Sequence, residues 1–550
     1  MNKNIIDNIK KAHSLTNNKP DEYFVAYDNI YKLLQKRLNV NFDKEYLVYY
    51  SESGEVTRFG YEEFIKKAFK LANYLLENGI RKEARVGTFL HNHYDTVILY
   101  FACWSIGATV VPVNVNEEPQ RVNYIFKDSD TRMVFTLKMY EEKLKEAVHD
   151  LPGELVLFDT LDYSQEKDRV MQRQLVDRET EAMIVYTSGT TGNPKGVVLT
   201  QYNLMIDADG IAIWHKLYKD DTMMCVLPIH HVNGTVVTIM TTMYYGGKLV
   251  LNQKFQTDKF LKRLQDESVK IVSVVPTLLQ FMNHSSEDVS KYNLENFSHI
   301  ICGAGPLTCE VAKNFEEKFE LRIVHGYGLS ETTCYSCFIP IDLSIAEHFQ
   351  WQNGFGYPAI GIPIYWNEME IHNEHGESQD ENVKGEIVIR GHNVMKYYFK
   401  NDEANAKTFE FGWFRSGDEG FFRYDRHKNK YFFITGRLKE LIIRGGVNIS
   451  TLEVDEVISG CEFAQAGICV GFENDWYGEE VGALIQLNEG VKESEELKEK
   501  ILEFFKSKLP AYKAPKVVIF TDTIPVTSTG KYQRNKVKHL FQKYKETQFK

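Results

Sequence analysis

One eleven-residue segment, Tyr186 to Gly196, concentrates residue types that bind phosphate. It reads YTSGTTGNPKG and follows an apolar stretch, Ala182 to Val185, that we predict to be a strand. Glycines let backbone N–H groups approach an anion closely, hydroxyl groups can donate to phosphate oxygens, and Lys195 adds a positive charge. We therefore predict a phosphate-binding loop. Besides Lys195, its expected contacts are Thr187, Ser188, Gly189, Thr190, Thr191 and Gly192.

This loop differs from the P-loop, whose pattern is GxxxxGK[ST]. Gly189 and Gly192 are too close together for that pattern, and Lys195 is followed by Gly196. An ordinary flexible loop between two strands is the alternative interpretation. The density of hydroxyl groups beside a lysine favours phosphate binding.

The elements that must position this loop alternate between helix and strand. Tyr61 to Asn78 has apolar residues at helical spacing and stops before Gly79, and Arg85 to Leu90 then reads as a strand. Short apolar strands, each preceded by a helical segment, recur as far as Val324. This alternation predicts an α/β fold with parallel sheets covered by helices.

The pattern changes twice towards the C-terminus. From Gly385 the elements are shorter and separated by glycine-rich turns, which predicts a compact β-rich subdomain. Beyond Arg437, helical patterns at Leu452 to Ser459 and Ser494 to Leu509 alternate with short strands, which predicts a small α+β domain. We expect an N-terminal domain over residues 1–438 and a C-terminal domain over residues 439–550, joined by a short hinge.

Composition and charge exclude several functional classes. The chain has 550 residues, too many for one hydrophobic core, and a formal net charge of −11, which argues against nonspecific nucleic-acid binding. Eight cysteines do not form a disulfide framework, so we expect a reducing compartment, the cytoplasm. Cys334 and Cys337 form a CxxC pair. A redox site or half of a zinc site is the alternative to the buried structural cysteines that we favour.

One uncharged run reaches the lower length limit of a membrane span. Thr96 to Val113 carries no charge over 18 residues. Gly107 and Pro112 interrupt it, so we predict a buried helix ending near Ile106 and then a core strand. We expect no membrane span, and the first residues lack the features of a signal peptide.

Four further blocks follow the loop, and together with it they resemble the signatures of a known superfamily. The blocks are GYGLSETT at Gly326 to Thr333, GWFRSGDEG at Gly412 to Gly420, ITGRLKELIIRGGVNIS at Ile434 to Ser450 and PVTSTGKYQR at Pro525 to Arg534. Five blocks in this order resemble the adenylate-forming superfamily, which includes acyl- and aryl-CoA synthetases, adenylation domains of nonribosomal peptide synthetases, and luciferases. The resemblance implies a large domain with two mainly parallel sheets and a mobile small domain.

The resemblance also implies that ATP and Mg²⁺ bind to this chain. Tyr327 matches the aromatic residue that stacks on adenine, Glu331 the carboxylate that holds magnesium, and Asp418 the carboxylate that accepts both ribose hydroxyls. Ser330 stands where the family usually has threonine, and either hydroxyl can contact the α-phosphate. The other implied ATP contacts are Gly303, Ala304, Gly305, Gly328 and Arg437.

The implied reaction joins a small carboxylic acid to coenzyme A. Lys531 matches the lysine that bridges the attacking carboxylate and the α-phosphate, and Lys195 neutralises the departing phosphates. Acyl-AMP and pyrophosphate form first, and the CoA thiol then displaces AMP. The small domain rotates between these steps about a hinge at Lys439. The residues implied to line the CoA tunnel are Arg444, Gly445 and Gly446, for whose glycines a tight turn is the alternative.

The block LPIHHVNG resembles the border of the acyl pocket. His231 takes the place of the residue near the substrate carboxylate. Val232 follows it where amino-acid-activating members carry an aspartate, so an α-amino acid is disfavoured. The expected pocket wall is Val232, Asn233, Val236 and Cys334, which accommodates short or medium, branched or aryl acids. A metal half-site at His230–His231 is the alternative.

Three other functions remain as alternatives to an acid–CoA ligase. A stand-alone adenylation enzyme would load its acyl group onto a carrier protein, although the RGGVNI block favours CoA. An inactive nucleotide-binding regulator is the second alternative, against which Glu331, Asp418 and Lys531 speak. Luciferase-like oxidation is the third. Both a monomer and a homodimer fit the family.

Overall fold

The computed structural model describes residues 1–16, 22–148, 153–170, 175–187, 193–527 and 531–549. The fold is mixed α/β, as predicted, with its strands arranged in three sheets. In chain order the strands of the described residues are β1 (Glu45–Tyr50), β2 (Val56–Gly60), β3 (Arg85–Phe89), β4 (Thr109–Val113), β5 (Thr131–Thr136), β6 (Glu154–Leu157), β7 (Glu181–Thr187), β8 (Lys195–Thr200), β9 (Thr222–Cys225), β10 (Lys248–Asn252), β11 (Ile271–Val274), β12 (His299–Cys302), β13 (Ile323–Tyr327), β14 (Cys337–Phe338), β15 (Ala359–Pro363), β16 (Asn367–His372), β17 (Gly385–Gly391), β18 (Tyr397–Tyr398), β19 (Phe414–Tyr424), β20 (Lys430–Arg437), β21 (Ile442–Arg444), β22 (Val447–Ile449), β23 (Ala464–Asn474), β24 (Gly478–Leu487) and β25 (Val517–Phe520).

Helices separate most of the strands. They are α1 (Lys3–Ala12), α2 (Ile30–Val40), α3 (Tyr61–Glu77), α4 (Tyr94–Ser105), α5 (Pro119–Asp128), α6 (Glu141–Ala147), α7 (Gln201–Trp214), α8 (Thr241–Tyr245), α9 (Thr257–Asp266), α10 (Pro276–His284), α11 (Cys309–Phe319), α12 (Ile345–Asn353), α13 (Asp402–Thr408), α14 (Thr451–Ser459) and α15 (Glu495–Lys508). A π-helical segment, Asn233–Met240, runs directly into α8.

The first sheet has a parallel centre and an antiparallel extension. Its parallel strands lie in the order β13-β12-β11-β9-β10-β1, and β2 pairs antiparallel at the far edge. From β13 the sheet continues through antiparallel strands, β14, β15, β20, β19, β17 and β16. The β-rich region therefore begins with β14, earlier than the predicted start at Gly385. The strand β14 has only two residues and left no recognisable pattern in the sequence.

The second sheet carries the segment predicted to bind phosphate. Its order is β18-β8-β7-β4-β3-β5-β6, with parallel pairing from β7 to β6. Strands β7 and β8 form an antiparallel hairpin, and β18 pairs with β8 at the edge. The uncharged run predicted as helix then strand is α4 followed by β4, and Gly107 between them has φ +75°. A left-handed residue of this kind is most readily glycine. No helix in the described ranges has the length and apolar character needed to cross a bilayer.

The third sheet consists only of strands that follow Arg437. Its order is β22-β21-β24-β23, and β25 pairs parallel with β24. Helices α14 and α15 contribute Val454, Ile458, Ile501 and Phe505 to a separate apolar core. Ser494 begins α15 by accepting a hydrogen bond from the N–H of Leu497. The proposed boundary after residue 438 stays a prediction. All eight cysteines, which lie within the described residues, are free thiols.

Candidate active site

A cavity of about 880 Å³ lies between the carboxyl ends of the first sheet's parallel strands and the part of the chain that follows Arg437. The loop after β12 supplies Ala304 and Gly305, and the end of β13 supplies Tyr327 and Gly328. In open α/β sheets, ligands bind outside the carboxyl ends of the strands. The predicted nucleotide contacts that line the cavity are Ala304, Gly305, Tyr327, Gly328, Asp418 and Arg437, and Lys531 enters it from the C-terminal side.

Two glycines are required where this cavity wall is tightly packed. A Cβ at Gly303 would lie 2.5 Å from the hydroxyl of Tyr335, and one at Gly328 would lie 1.8 Å from the carbonyl oxygen of Cys334. Neither space can accept a side chain without moving the backbone. Gly303 itself does not line the cavity.

Asp418 is the buried anchor of the cavity. It is 3% exposed, and it stands directly opposite Arg437 across the pairing of β19 with β20. The Tyr327 hydroxyl donates to Asp418 Oδ2 at 2.6 Å, and Arg437 Nε lies 3.4 Å from Asp418 Oδ1. The negative charge of Asp418 raises the pKa of Arg437. Since each carboxylate oxygen has two acceptor sites, Asp418 retains capacity for hydroxyl donors of a ligand.

Glu331 and Lys195 both contact Tyr398. The Tyr398 hydroxyl donates to Glu331 Oε1 at 2.8 Å, and Lys195 Nζ lies 4.8 Å from the centre of the Tyr398 ring. The N–H of Met395 also donates to the backbone oxygen of Glu331 at 2.7 Å. Burial lowers the pKa of Lys195, and the charge of Lys439 lowers it further. Sequence reasoning missed Tyr398, because nothing distinguishes it from other aromatic residues until β18 pairs with β8.

The predicted phosphate loop closes the hairpin of β7 and β8. Thr187 pairs with Lys195 at its base. Ser188, Gly189, Thr190, Thr191 and Gly192 lie outside the described residues, so their roles stay predictions. Ser330 begins the short 3₁₀ turn that carries Glu331.

Lys531 connects the two sides of the cavity electrostatically. Burial lowers its pKa to about 8, the charge of Arg437 acts in the same direction, and Asp418 and Glu331 partly offset both effects. The charge of Lys531 also affects the pKa of His231, which we predicted near the substrate carboxylate. Burial, followed by the Lys531 charge, lowers the His231 pKa to about 4, so its imidazole is neutral at pH 7.

A buried ion pair holds the segment that carries Lys531. Arg534 Nη1 donates to Asp455 Oδ1 at 3.1 Å and to the Cys469 carbonyl at 2.8 Å, and Arg534 Nη2 donates to Asp455 Oδ2. The Lys531 carbonyl also accepts from the N–H of Thr527 at 2.8 Å. This pair was not predicted. Residues 455 and 534 are 79 positions apart, and neither spacing nor composition relates them.

The predicted acyl-pocket residues are buried and partly polar, and none of them lines the 880 Å³ cavity. Ser273 Oγ donates to Asn233 Oδ1 at 2.7 Å, and Asn233 Nδ2 donates to the Tyr335 hydroxyl at 3.2 Å. Val232, Val236 and Cys334 are buried beside them. The sequence predicted Cys334 as part of the acyl-pocket wall but not its neighbour Tyr335.

An unpredicted acid also lies on this side of the site. Asp207 is fully buried, accepts from Asn393 Nδ2 at 2.8 Å, and is close enough to Cys334 to raise the pKa of its thiol, after the larger effect of burial. Burial raises the pKa of Asp207 itself to about 8.

The predicted CoA-tunnel residues lie away from the cavity in this arrangement. Arg444 Nε donates to Glu480 Oε1 at 2.6 Å, and its guanidinium stacks 4.0 Å from the Tyr477 ring centre. Gly445 and Gly446 have φ of +56° and +84° in the turn between β21 and β22, the tight turn considered as an alternative. Lys439 is exposed in the turn between β20 and β21, where a hinge requires few contacts.

Comparison with known proteins identifies relatives of both parts. The AMP-binding enzyme family model matches residues 34–399, and the AMP-binding enzyme C-terminal domain model matches residues 453–531. The oxalate–CoA ligase of Arabidopsis thaliana is 33% identical over 479 residues, which cover 84% of this chain and 89% of that protein.

Solved structures share the fold. The o-succinylbenzoate CoA synthetase MenE of Bacillus subtilis, in complex with the acyl-adenylate OSB-AMP, has a TM-score of 0.81 at 24% identity and covers 94% of this chain and 99% of its own. ATP-bound MatB of Rhodopseudomonas palustris has a TM-score of 0.82 at 22% identity, covering 94% of this chain and 100% of its own. Apo MatB, with the same identity and coverage, has a TM-score of 0.71.

Proposed function

Since the chain belongs to the AMP-binding enzyme family, we propose that it is an acid–CoA ligase working through an acyl-adenylate. One observation carries this proposal. Lys531 lies in one cavity with Asp418 and Arg437 and within electrostatic reach of Glu331 and His231. A positive charge at this point suits a reaction in which two anions meet.

In the first step a carboxylate oxygen attacks the α-phosphorus of ATP, the bond to the bridging oxygen breaks, and pyrophosphate leaves. Asp418 and Arg437 hold the ribose, and Tyr327 lies against the adenine. Lys531 neutralises charge at the reacting centre and Lys195 at the departing phosphates. Glu331 offers the hard carboxylate oxygen that Mg²⁺ prefers, and a bound Mg²⁺ ion supplies further positive charge to the phosphates.

In the second step the thiolate of CoA attacks the acyl carbon, the acyl–oxygen bond breaks, and AMP leaves as the thioester forms.

His231 is neutral at pH 7 because its pKa is about 4. It therefore contacts the substrate carboxylate by hydrogen bonding rather than by charge.

We also propose that residues 439–550 move as a unit between these steps, turning at Lys439. The exposed turn at Lys439 and the greater similarity to ATP-bound than to apo MatB support an adenylate-forming arrangement here. After this rotation, Arg444, Gly445 and Gly446 would face the path of the CoA thiol. The two glycines would leave room there, because they have no side chain.

We propose that the acid is short or medium, branched or aryl. Asn233 and Tyr335 bring polar groups and a large ring to the pocket wall, while Val232 and Val236 are apolar.

The direct test is release of AMP that requires ATP, CoA and an acid together, measured with the purified protein against short, medium and long linear acids, branched acids and aryl acids. We expect turnover with at least one short, branched or aryl acid and formation of its CoA thioester. Pyrophosphate exchange without any thioester would instead favour loading of a carrier protein. The absence of both pyrophosphate exchange and AMP release with every acid tested would overturn the proposal.

Replacing Tyr335 with alanine should shift the preference towards larger acids. The Tyr335 ring is buried, and its removal would open space beside Asn233. We expect the ratio of kcat/KM for a larger acid to that for the best small acid to rise about tenfold, the scale of one or two methylene groups in a pocket. The acid panel measures this ratio. Tyr335→Phe is the matched control, since it keeps the ring and removes only the hydroxyl. An unchanged ratio in Tyr335→Ala would place the acid elsewhere.

A further inference from the structure

Helix α14 of the C-terminal part docks on the first turn of α11 through one carboxylate. The N–H of Cys309 donates to Glu456 Oε1 at 2.9 Å and to Oε2 at 3.0 Å. The side chain of Thr308 accepts from the N–H of Val311, so the cap residue of α11 satisfies another N–H of the same turn. The Glu456 carboxylate thus ties together two helices that lie 147 residues apart in the chain.

The contact combines a favourable partner with an unfavourable environment. The positive end of the α11 dipole and the N–H groups of Cys309 and Glu310 stabilise the ionised carboxylate. Burial outweighs them and raises the pKa of Glu456 to about 7, and the charge of Glu310 acts in the same direction. A docking contact of this kind is specific but not strong, which suits an interface between α14 and α11 that must separate during the reaction.

The same helix also holds the segment that carries Lys531. Asp455, the neighbour of Glu456, forms the buried ion pair with Arg534, three residues beyond Lys531. A short connected path therefore runs from α11 through Glu456, Asp455 and Arg534 to Lys531. A second contact across the same boundary, the Lys536–Glu118 ion pair at 3.4 Å, is exposed on both sides and contributes little.

We propose that Glu456 is a positioning residue that docks α14 on α11 and thereby holds Lys531 in the cavity for adenylate formation, and that this contact must break before thiol transfer. This inference rests on the proposed function, because it assigns Glu456 to one of its two half-reactions. Glu456 does not touch the reacting atoms. Its removal should therefore affect the two steps differently, which a purely structural role would not do.

The experiment compares Glu456→Ala and Glu456→Gln with Glu453→Ala. Glu453 is the matched control, since it lies on the same helix but pairs with Lys513 of the same part, at 2.7 Å. Pyrophosphate exchange reports adenylate formation, and single-turnover thioester formation from added acyl-adenylate reports thiol transfer. We expect Glu456→Ala to lower the exchange kcat about tenfold, the scale of one lost charged hydrogen bond, with thiol transfer unchanged or faster. Glu456→Gln should lie between it and the wild type, and Glu453→Ala should stay within about twofold.

A second readout does not depend on catalysis. Trypsin cleaves after Lys439, which is already exposed, and loss of docking should let its turn adapt more readily to the protease. The fragment ending at Lys439 should therefore appear several-fold faster from Glu456→Ala than from Glu453→Ala or the wild type. Equal losses in both half-reactions, or cleavage and kinetics like those of the wild type, would overturn the inference. If the wild type itself supports neither half-reaction, the proposed function fails, while the cleavage rates still decide whether Glu456 docks α14.

Discussion

Replacing Lys531 with alanine should lower the rate of acyl-adenylate formation at least about 100-fold, the scale reported for removing one preorganised charge or donor from a reacting centre. Lys531 lies in the cavity with Asp418 and Arg437 and within electrostatic reach of Glu331, where its ammonium can meet the charge of both the carboxylate and the α-phosphate. Pyrophosphate exchange measures this step. Thiol transfer from added acyl-adenylate should fall far less, because the charge is needed before the adenylate exists.

Lys536→Ala is the matched control for this experiment. It removes an exposed lysine of the same C-terminal segment, and both half-reactions should stay within about twofold. If Lys531→Ala leaves pyrophosphate exchange unchanged, or if Lys536→Ala lowers it equally, Lys531 does not act at the reacting centre.

The pH profile of adenylate formation tests the same residue without deleting it. If Lys531 acts as proposed, its charged form is the active one, and burial lowers its pKa to about 8. Activity is therefore present below this pKa and lost as pH rises through it, and bound anionic ATP would move the loss upwards from about 8. Arginine stays charged at any pH the protein tolerates, so Lys531→Arg should retain part of the rate and lose the alkaline decline. An unchanged alkaline limb in Lys531→Arg would assign that limb to another group.

The sequence predicted the fold well wherever local pattern determines structure. The uncharged run from Thr96 to Val113 divides into α4 and β4 at Gly107, because a left-handed glycine ends the helix and an apolar β-branched stretch follows it. The β-rich region was placed too late, since β14 is only two residues long and its neighbours pair across long connections.

The candidate site was predictable only where a motif carries its residues. Asp418 and Arg437 were both expected in the ATP site, and they face each other across β19 and β20. Tyr398 and the Asp455–Arg534 pair were missed, because they reach the site through contacts between residues distant in the chain. Spacing along the sequence contains no information about such contacts.

Replacing Asp418 with alanine should raise the KM for ATP about 100-fold and change the KM for the acid little. A buried carboxylate that accepts two hydroxyl groups forms charge-assisted hydrogen bonds, each about twice as strong as a neutral one. Asp418→Asn keeps the shape and one acceptor oxygen, so its KM for ATP should rise about tenfold. Initial rates with each substrate varied in turn separate the two KM values.

The neighbours of Asp418 require a control, since its removal also frees Tyr327 and Arg437. Tyr327→Phe removes the hydroxyl that donates to Asp418 at 2.6 Å and keeps the ring that would contact adenine. If Asp418 acts on the ribose, Tyr327→Phe should change the KM for ATP less than about threefold, because it removes one neutral donor and no ligand contact. An equal rise in both KM values for Asp418→Ala, or a rise in Tyr327→Phe as large as in Asp418→Ala, would mean that Asp418 shapes the cavity instead of binding the nucleotide. Thermal unfolding of each variant shows whether the fold is retained. Removing Asp418 leaves the Arg437 guanidinium without its carboxylate partner and should lower the Tm.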